Sequence, residues 1–561
     1  CGHEATQVAN CQVQSMAWPT RLTKEVINDY LSQGAWEPTT ISDYWDKNAD
    51  RNPQGIAVTD GQQEFTWVEA KVWTDQLALA MVRLGLRRDD VLVVQLPNSA
   101  ELPLIRVACE KAGILCLPVP RTLRQAEMRF CLGFTEAAAV VAPWNYRDFD
   151  YFGMIRELQG EMPHLRHILV SGKEVPAGAF SLHELACHRR EERGELTVLE
   201  ARRYKAAEVS LINSTTGSTG LPKFAEYTAA ARLLYGRSYI DMLGLTEQDV
   251  LAALSPAAGG PNIPVYFAAP RIGAKTVFLK HFEPKAAFEL IQQERVTLAC
   301  VVPAQLAMMV SYPHRDRHDL SSVRFWLSVG APLAPNLARE AEDKLGGIVL
   351  NTYGAVDWGG VVFTSPLDPP EVRYFTVGRP RTGTEVRLVD EEGRLATPGQ
   401  VGELQGRGPS CSSGYYRNPE ATLKTWTSDG WFPLGDLGQW DDNGNLALLG
   451  RKDEMIMRGG QNIQPGEIED HLLAHPKVRQ VAVVGMPDPI MGQRVCAYVV
   501  PRTEDGIRLE EIVSFLRSKK LAPYKLPERL EVLNTFPMVS DTKVNKRILT
   551  ADIAEKLRQG V

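Results

Sequence analysis

Ser214-Thr215-Thr216-Gly217-Ser218-Thr219-Gly220-Leu221-Pro222-Lys223 packs hydroxyls, glycines and one lysine into a short run directly after the apolar segment Val209 to Ile212. That is the form a triphosphate requires. Gly217 and Gly220 reach backbone angles closed to other residues and bring main-chain N–H groups close to phosphate oxygens. Ser214, Thr215, Thr216, Ser218 and Thr219 add hydroxyl donors, Pro222 stiffens the exit, and Lys223 supplies a positive charge. A Walker loop carries its lysine directly after the second glycine and then Ser or Thr, whereas here Leu221 and Pro222 intervene and Phe224 follows. The run is therefore a phosphate loop of another kind. Taken alone it also fits a polar linker, because Gly and Ser punctuate many loops.

Further pieces follow in order. They are Val329-Gly330-Ala331-Pro332-Leu333, Tyr353-Gly354-Ala355-Val356-Asp357 and Gly435-Asp436, then Gly450-Arg451-Lys452-Asp453 with Gly459-Gly460-Gln461-Asn462-Ile463, and finally Lys543 between Phe536-Pro537 and Lys546. Each is weak alone, and their succession is specific. On these motifs the chain, from about Thr40 to about Leu557, resembles the adenylate-forming superfamily of acyl-CoA and aryl-CoA ligases, nonribosomal peptide adenylation domains and luciferases.

The 561 residues are too many for one compact core. With 44% apolar and 23% charged residues the composition is that of a globular protein, and a net charge of −6 gives no reason to expect nucleic acid or an anionic membrane as partner. No stretch reads as a bilayer span or a secretory leader, so the cytoplasm is the default expectation. Nine cysteines without paired close spacing indicate neither a disulfide framework nor a zinc site, and Cys109 and Cys116, in apolar surroundings, read as small core residues.

Short apolar runs at Ile56 to Val58, Val91 to Leu96, Ile114 to Val119, Ala138 to Ala142 and His167 to Val170 read as buried strands, alternating with amphipathic stretches such as Thr66 to Leu86 and Ala100 to Ala112. That alternation predicts an α/β architecture with largely parallel sheets. From Phe375 the texture shifts to short strands separated by Glu391-Glu392-Gly393, Asp429-Gly430 and Asp442-Asn443-Gly444 turns, a small β-rich subdomain. After Arg451 an α+β pattern begins: helix Pro465 to Ala474, strands Gln480 to Gly485 and Val495 to Val500, helix Leu509 to Ser518. The expected division is an N-terminal extension over 1–39, a large adenylate-forming domain of α/β subdomains plus the β-rich subdomain over 40–452, and a small mobile α+β domain over 453–561.

Joining a carboxylate to the α-phosphorus of ATP brings two anions together, so the site must neutralise charge and align the reactants. The resemblance assigns the loop Ser214 to Lys223 to the β- and γ-phosphates. It puts Asp357 where the family has a Glu that helps hold Mg²⁺, a cation that prefers carboxylate oxygen. Asp436 matches the carboxylate that accepts from the ribose hydroxyls, with Arg451 beside it, and Gly330, Ala331 and Pro332 match the backbone along adenine; Tyr353 and Gly354 belong to the same nucleotide site. Lys543 matches the mobile lysine that bridges the substrate carboxylate and the nucleotide, a role suited to a compact charge on a long stem. By itself Lys543 reads as a solvated surface lysine, and Gly459-Gly460 as a plain turn. The product would be an acyl-adenylate, opened by a thiol with loss of AMP. The family serves both steps by swinging its small domain about one hinge residue, which Asp453 matches, so that the loop Arg458 to Asn462, with Gly459 and Gly460, faces the pantetheine.

Several positions depart from the family pattern. Val356 replaces a Thr or Ser, although the aryl-acid branch also uses an apolar residue there; Asp357 is one methylene shorter than Glu; Leu434 replaces a Thr; Thr542 stands for a Gly and Glu454 for an Asp. Each lost neutral hydroxyl contact is worth on the order of 1 kcal/mol. An enzyme that performs only the thioester step on an acyl-adenylate supplied by a partner adenylating enzyme is therefore a second expectation, against which retention of Lys223, Asp436, Arg451 and Lys543 argues.

The C-terminal half resembles stand-alone aryl-acid activating enzymes most closely. Where these carry a His-Asn pair, this chain reads Leu254-Ser255-Pro256-Ala257-Ala258-Gly259-Gly260, with Gly259 in place of the Asn that binds an ortho-hydroxyl. A pocket of Ala258, Gly259, Gly260, Val329, Gly354 and Ala355 is roomy and apolar, and an apolar site does not select for a hydroxyl. The expected substrate is a bulky, mostly apolar aryl, alicyclic or polycyclic acid; a pocket filled by Trp358 would instead restrict it to small acids, and Trp358 reads equally well as core. Coenzyme A is the preferred thiol, with Lys519, Lys520 and Lys525 as candidate contacts for its nucleotide that read equally as solvated lysines on an exposed helix end; a separate carrier-protein phosphopantetheine is the alternative, no fused carrier domain being expected after Lys543. A homodimer, and a non-catalytic acyl-nucleotide-binding protein, complete the expectations.

Overall fold

Thr66 caps the first long helix instead of joining it. Its hydroxyl accepts from the Glu69 N–H while the Glu69 carboxylate accepts from the Thr66 N–H at 2.8 Å, so the helix begins at Trp67 and runs Trp67–Arg83. The structure, a computed structural model, describes residues 19–172, 174–187, 193–215, 222–256, 260–458, 461–502, 506–540 and 543–559, and for 193–195, 462, 539, 540 and 543 it describes the backbone alone. The chain folds as two compact units.

The first unit comprises Cys1–Glu283, Val356–Gly360 and Gly408–Thr425. Its seven-stranded sheet runs in the order Phe224–Thr228, Val209–Ser214, Leu115–Pro118, Val91–Val94, Ala139–Pro143, His167–Ser171, Phe180–Ser181. All neighbours are parallel except the first pair, an antiparallel hairpin whose register joins Ser214 to Phe224. Every residue of Val91–Val94, Leu115–Pro118 and Ala139–Pro143 is buried, because helices cover both faces of a parallel sheet. The expected alternation therefore holds, with strand ends shifted by a residue or two. Cys109 and Cys116 are buried in this unit. A second sheet in it pairs Val250–Ala253, Lys275–Phe278 and Ile56–Thr59 in parallel, with Glu64–Thr66 antiparallel at its edge.

The second unit comprises Pro284–Ala355, Val361–Arg407 and Trp426–Val561. Leu298–Val301, Phe325–Ser328 and Ile348–Tyr353 lie parallel in it, so Val329-Gly330-Ala331 and Gly354 follow the carboxyl ends of adjacent strands, the usual place for ligand loops in α/β sheets. The β-rich part is a four-stranded antiparallel sheet of Glu385–Val389, Val401–Arg407, Phe432–Trp440 and Leu446–Arg451. Its turns close where expected: Gly393, Gly430 and Gly444 donate to Asp390, Thr427 and Asp441. The C-terminal α+β part is built on Val478–Asp488 and Gly492–Pro501. Val483, Val495, Ala497 and Val499 pack on one face with the helices Pro465–Leu473 and Leu509–Ser518, and Ala482, Val484, Cys496, Tyr498 and Val500 pack on the other with the helix Lys546–Arg558. Period-two burial on both faces explains why these strands read as unbroken apolar runs.

Candidate nucleotide site

Hydrogen bonds at the mouth of the Val209–Ser214 hairpin close the loop that the sequence singles out. The Thr215 N–H donates to the Lys223 carbonyl at 2.8 Å and the Lys223 N–H to the Thr215 hydroxyl at 3.0 Å. Thr216, Gly217, Ser218, Thr219 and Gly220 lie outside the described residues. The Lys223 ammonium stands 4.8 Å from the centre of the Tyr415 ring, and the Tyr415 hydroxyl donates to Asp357 Oδ2 at 2.9 Å. Among the described residues Tyr415 is the only hydrogen-bond partner of the Asp357 carboxylate, which is half-buried. Burial, then the nearby Asp357 charge and its hydrogen bond, push the Tyr415 phenol well above its ordinary range, so it stays a donor. The backbone around Asp357 is fixed from two sides: the Tyr227 hydroxyl donates to the Val356 carbonyl, and Ser412 donates its hydroxyl to the Asp357 carbonyl and its N–H to the Trp358 carbonyl. Trp358 is fully buried.

The second unit brings Tyr353, Asp436, Arg451 and Asp453 together. Asp436 and Arg451 are cross-strand partners on Phe432–Trp440 and Leu446–Arg451. The Arg451 guanidinium donates to Asp436 Oδ1 at 3.3 Å, to the Leu434 carbonyl at 3.0 Å and to Asp453 Oδ1 at 3.2 Å, and the Tyr353 hydroxyl donates to Asp436 Oδ2. Burial opposes the charge of Arg451, but Asp436 and Asp453 outweigh it and its pKa is raised. Gly435 holds φ at +70°, and a Cβ there would come within 3.2 Å of the guanidinium, so glycine before Asp436 serves the close approach. Leu434 is buried at 6% exposure, so its side chain packs while its carbonyl carries the polar contact. Gly330 and Pro332 are exposed and Ala331 is half-exposed, an accessible ledge after Phe325–Ser328; Val329 is buried and Ala355 half-buried.

Ala258, Gly259, Gly459 and Gly460 lie outside the described residues, as does the Lys543 side chain; Gly260 opens a short turn over Gly260–Asn262, and the Lys543 backbone lies in the hairpin of Met538–Ser540 with Lys543–Val544. Of the lysines considered for a nucleotide, Lys525 is engaged with Glu467 at 2.6 Å, whereas Lys519 and Lys520 are exposed. Tyr415, Tyr227 and Ser412 were not singled out by the sequence. The available signal for Tyr415 was an aromatic hydroxyl between Gly414 and the Asn418-Pro419 turn; Ser412 lies among small residues and carried none.

A family model described as AMP-binding enzyme matches residues 45–416, and one described as AMP-binding enzyme C-terminal domain matches 467–543, a span that ends on Lys543. The chain is 32% identical to the medium-chain fatty-acid–CoA ligase of Escherichia coli strain K12, over 95% of this chain and 94% of that one. It is 32% identical to the 2-hydroxy-7-methoxy-5-methyl-1-naphthoate–CoA ligase of Streptomyces carzinostaticus, over 98% of each. Among solved structures, apo MbtA of Mycobacterium smegmatis aligns with a TM-score of 0.71 at 28% identity, covering 96% of this chain and 99% of that one. Among the described residues, no helix is long and apolar enough to cross a membrane.

Proposed function

The chain belongs to the AMP-binding enzyme family, and on that premise we propose that it is an AMP-forming acid–CoA ligase acting on a bulky, mostly apolar carboxylic acid. The observation that carries this reading is the similarity, along nearly the whole chain, to two CoA ligases whose named acids are a medium-chain fatty acid and a substituted naphthoate. Gly259, in place of the Asn of aryl-acid enzymes, supports the apolar pocket.

In the first step the acid's carboxylate oxygen bonds to the α-phosphorus of ATP and the α–β phosphoanhydride breaks, releasing pyrophosphate. Lys223 and the hydroxyl-rich loop hold the β- and γ-phosphates. Asp436, oriented by Tyr353 and Arg451, accepts from the ribose hydroxyls, and Gly330, Ala331 and Pro332 lie along adenine. Lys543 stabilises the charge developing between carboxylate and phosphate. Among the described residues no three His, Cys, Asp or Glu cluster as a metal site, but Mg²⁺ is usually held by one or two carboxylates together with substrate phosphates. Asp357, with one oxygen on Tyr415, fits that part, and the ion bound there would neutralise phosphate charge. In the second step the thiolate bonds to the acyl carbon and AMP leaves with the electron pair of the broken anhydride bond. Rotation of 453–561 about Asp453 exchanges Lys543 for the loop 458–462 at the reacting centre, with Gly459 and Gly460 facing the thiol arm.

A thioester-only enzyme is favoured by one observation, the missing hydroxyls at Val356 and Leu434. Which thiol is used is tested by offering coenzyme A and a phosphopantetheinylated carrier protein in turn. A higher kcat/KM with coenzyme A is expected; turnover confined to the carrier protein overturns that part of the reading.

A further inference from the structure

The segment Gly408 to Tyr415 reaches Asp357 from one side and is held from the other by residues far away in sequence. Ser410, Ser412 and Ser413 are fully buried, although serines are mostly exposed in folded proteins. On the far side of this segment lies the N-terminal stretch: the Arg21 N–H donates to the Ser413 carbonyl at 2.8 Å, its guanidinium to the Ser412 carbonyl at 3.2 Å, and the Trp36 indole N–H to the Pro409 carbonyl at 2.8 Å. Trp36 is itself buried with Leu22 and Ile27 against the helix Ala229–Leu243.

Glu226 ties this strap to the strand that leaves the phosphate loop. It sits on Phe224–Thr228 at 2% exposure and exchanges backbone bonds with the segment, donating to Gly414 and accepting from Ser413, each at 2.9 Å. Its carboxylate accepts from the Thr20 N–H at 3.0 Å and from the Thr20 hydroxyl at 2.8 Å. A carboxylate is costly to bury, and two directed donors from a single residue offset part of that cost. Gly414, with φ at +129°, lets the strap approach: a Cβ there would stand 3.0 Å from the Thr20 Cβ.

We propose that Thr20 and Glu226 are positioning residues for the first half-reaction. They clamp the Gly408 to Tyr415 segment so that Ser412 and Tyr415 hold the Asp357 carboxylate ready for the metal–triphosphate. This rests on the reading of Asp357 given above. Neither residue touches substrate; each acts through the segment, as outer hydrogen-bond partners commonly orient a metal-binding carboxylate.

The test uses the full chain with Thr20→Val, Thr20→Ser, Glu226→Gln and, in parallel, Asp357→Asn. Amide hydrogen exchange is read first, without ATP or Mg²⁺: Thr20→Val and Glu226→Gln should speed exchange across 409–416, with Thr20→Ser close to the native rate. Loss of one such hydrogen bond should raise the Mg²⁺ needed for half-maximal ATP–pyrophosphate exchange about fivefold, while thioester formation from supplied acyl-adenylate keeps its rate. Native exchange across 409–416, or equal losses in both half-reactions at a lowered Tm, would overturn the clamp. If Asp357→Asn leaves the Mg²⁺ dependence unchanged, the role of Asp357 fails on its own, while exchange across 409–416 still judges the clamp.

Discussion

A single phenolic hydrogen bond, from Tyr415 to Asp357, sets where a candidate metal-binding carboxylate sits. Because burial keeps the phenol protonated, the bond should persist throughout the physiological pH range. Tyr415→Phe preserves the ring beside Lys223 and removes only the donor. We expect it to lower ATP–pyrophosphate exchange about fivefold, with the thioester step from supplied adenylate unchanged; equal losses in the two steps would place Tyr415 in packing alone. Arg451 presents the complementary case. Its guanidinium donates to Asp436, Asp453 and the Leu434 carbonyl, a fork that lysine cannot reproduce. Arg451→Lys should therefore raise the KM for ATP more than it lowers kcat, and an unchanged KM would remove Arg451 from the nucleotide contacts.

Among the elements, the strand Phe224–Thr228 carries a titration that can be followed. Burial raises Glu226 from 4.5 to about 7, against the lowering effect of the two Thr20 bonds, and Tyr416 is the ionisable neighbour that feels its charge. The folded protein then keeps a proton that the unfolded chain releases near 4.5. This contribution to stability is complete below the unfolded pKa and is lost as pH rises through about 7. Glu226→Gln removes the titration, so the stability of the native protein relative to this variant should fall as pH rises from about 5 to about 8, by roughly 3 kcal/mol at most. Thermal melts across that range check it, and a pH-independent difference would contradict it. The same strand shows what the sequence could reveal. Its neighbour Val209–Ser214, the helix Leu509–Ser518 and the strands Val478–Asp488 and Gly492–Pro501 announce themselves through apolar runs and helical spacing, which are local signals. The motif residues Lys223, Asp357, Asp436 and Arg451 were legible because short motifs carry them. Thr20, Glu226 and Tyr415 were not, because their partners stand 206 positions away in the first two cases and 58 in the third. A buried glutamate in a strand looks like any exposed one until the strap that covers it is seen.

At the level of the whole molecule, the family reading implies one site used twice, with 453–561 turning about Asp453 between the two reactions. Arg451 and Lys452 are held by Asp436 and Glu403, whereas Glu454 pairs with Lys546 at 3.0 Å and Lys546 in turn with Glu469 at 2.8 Å. Asp453 lies between these two sets of anchors. If the small domain alternates, Lys543→Ala should lose most of its adenylation while keeping most of its thioester formation from synthetic adenylate, and equal loss in both would sink the alternation. The central claim, that one chain carries both steps for an apolar acid, is tested most directly by mass spectrometry of products. A panel of medium-chain, aryl and polycyclic acids is supplied with coenzyme A and Mg²⁺, once with ATP and once as preformed acyl-adenylates. The account predicts acyl-CoA and AMP from ATP plus a bulky apolar acid; acyl-CoA from the preformed adenylates alone would contradict it.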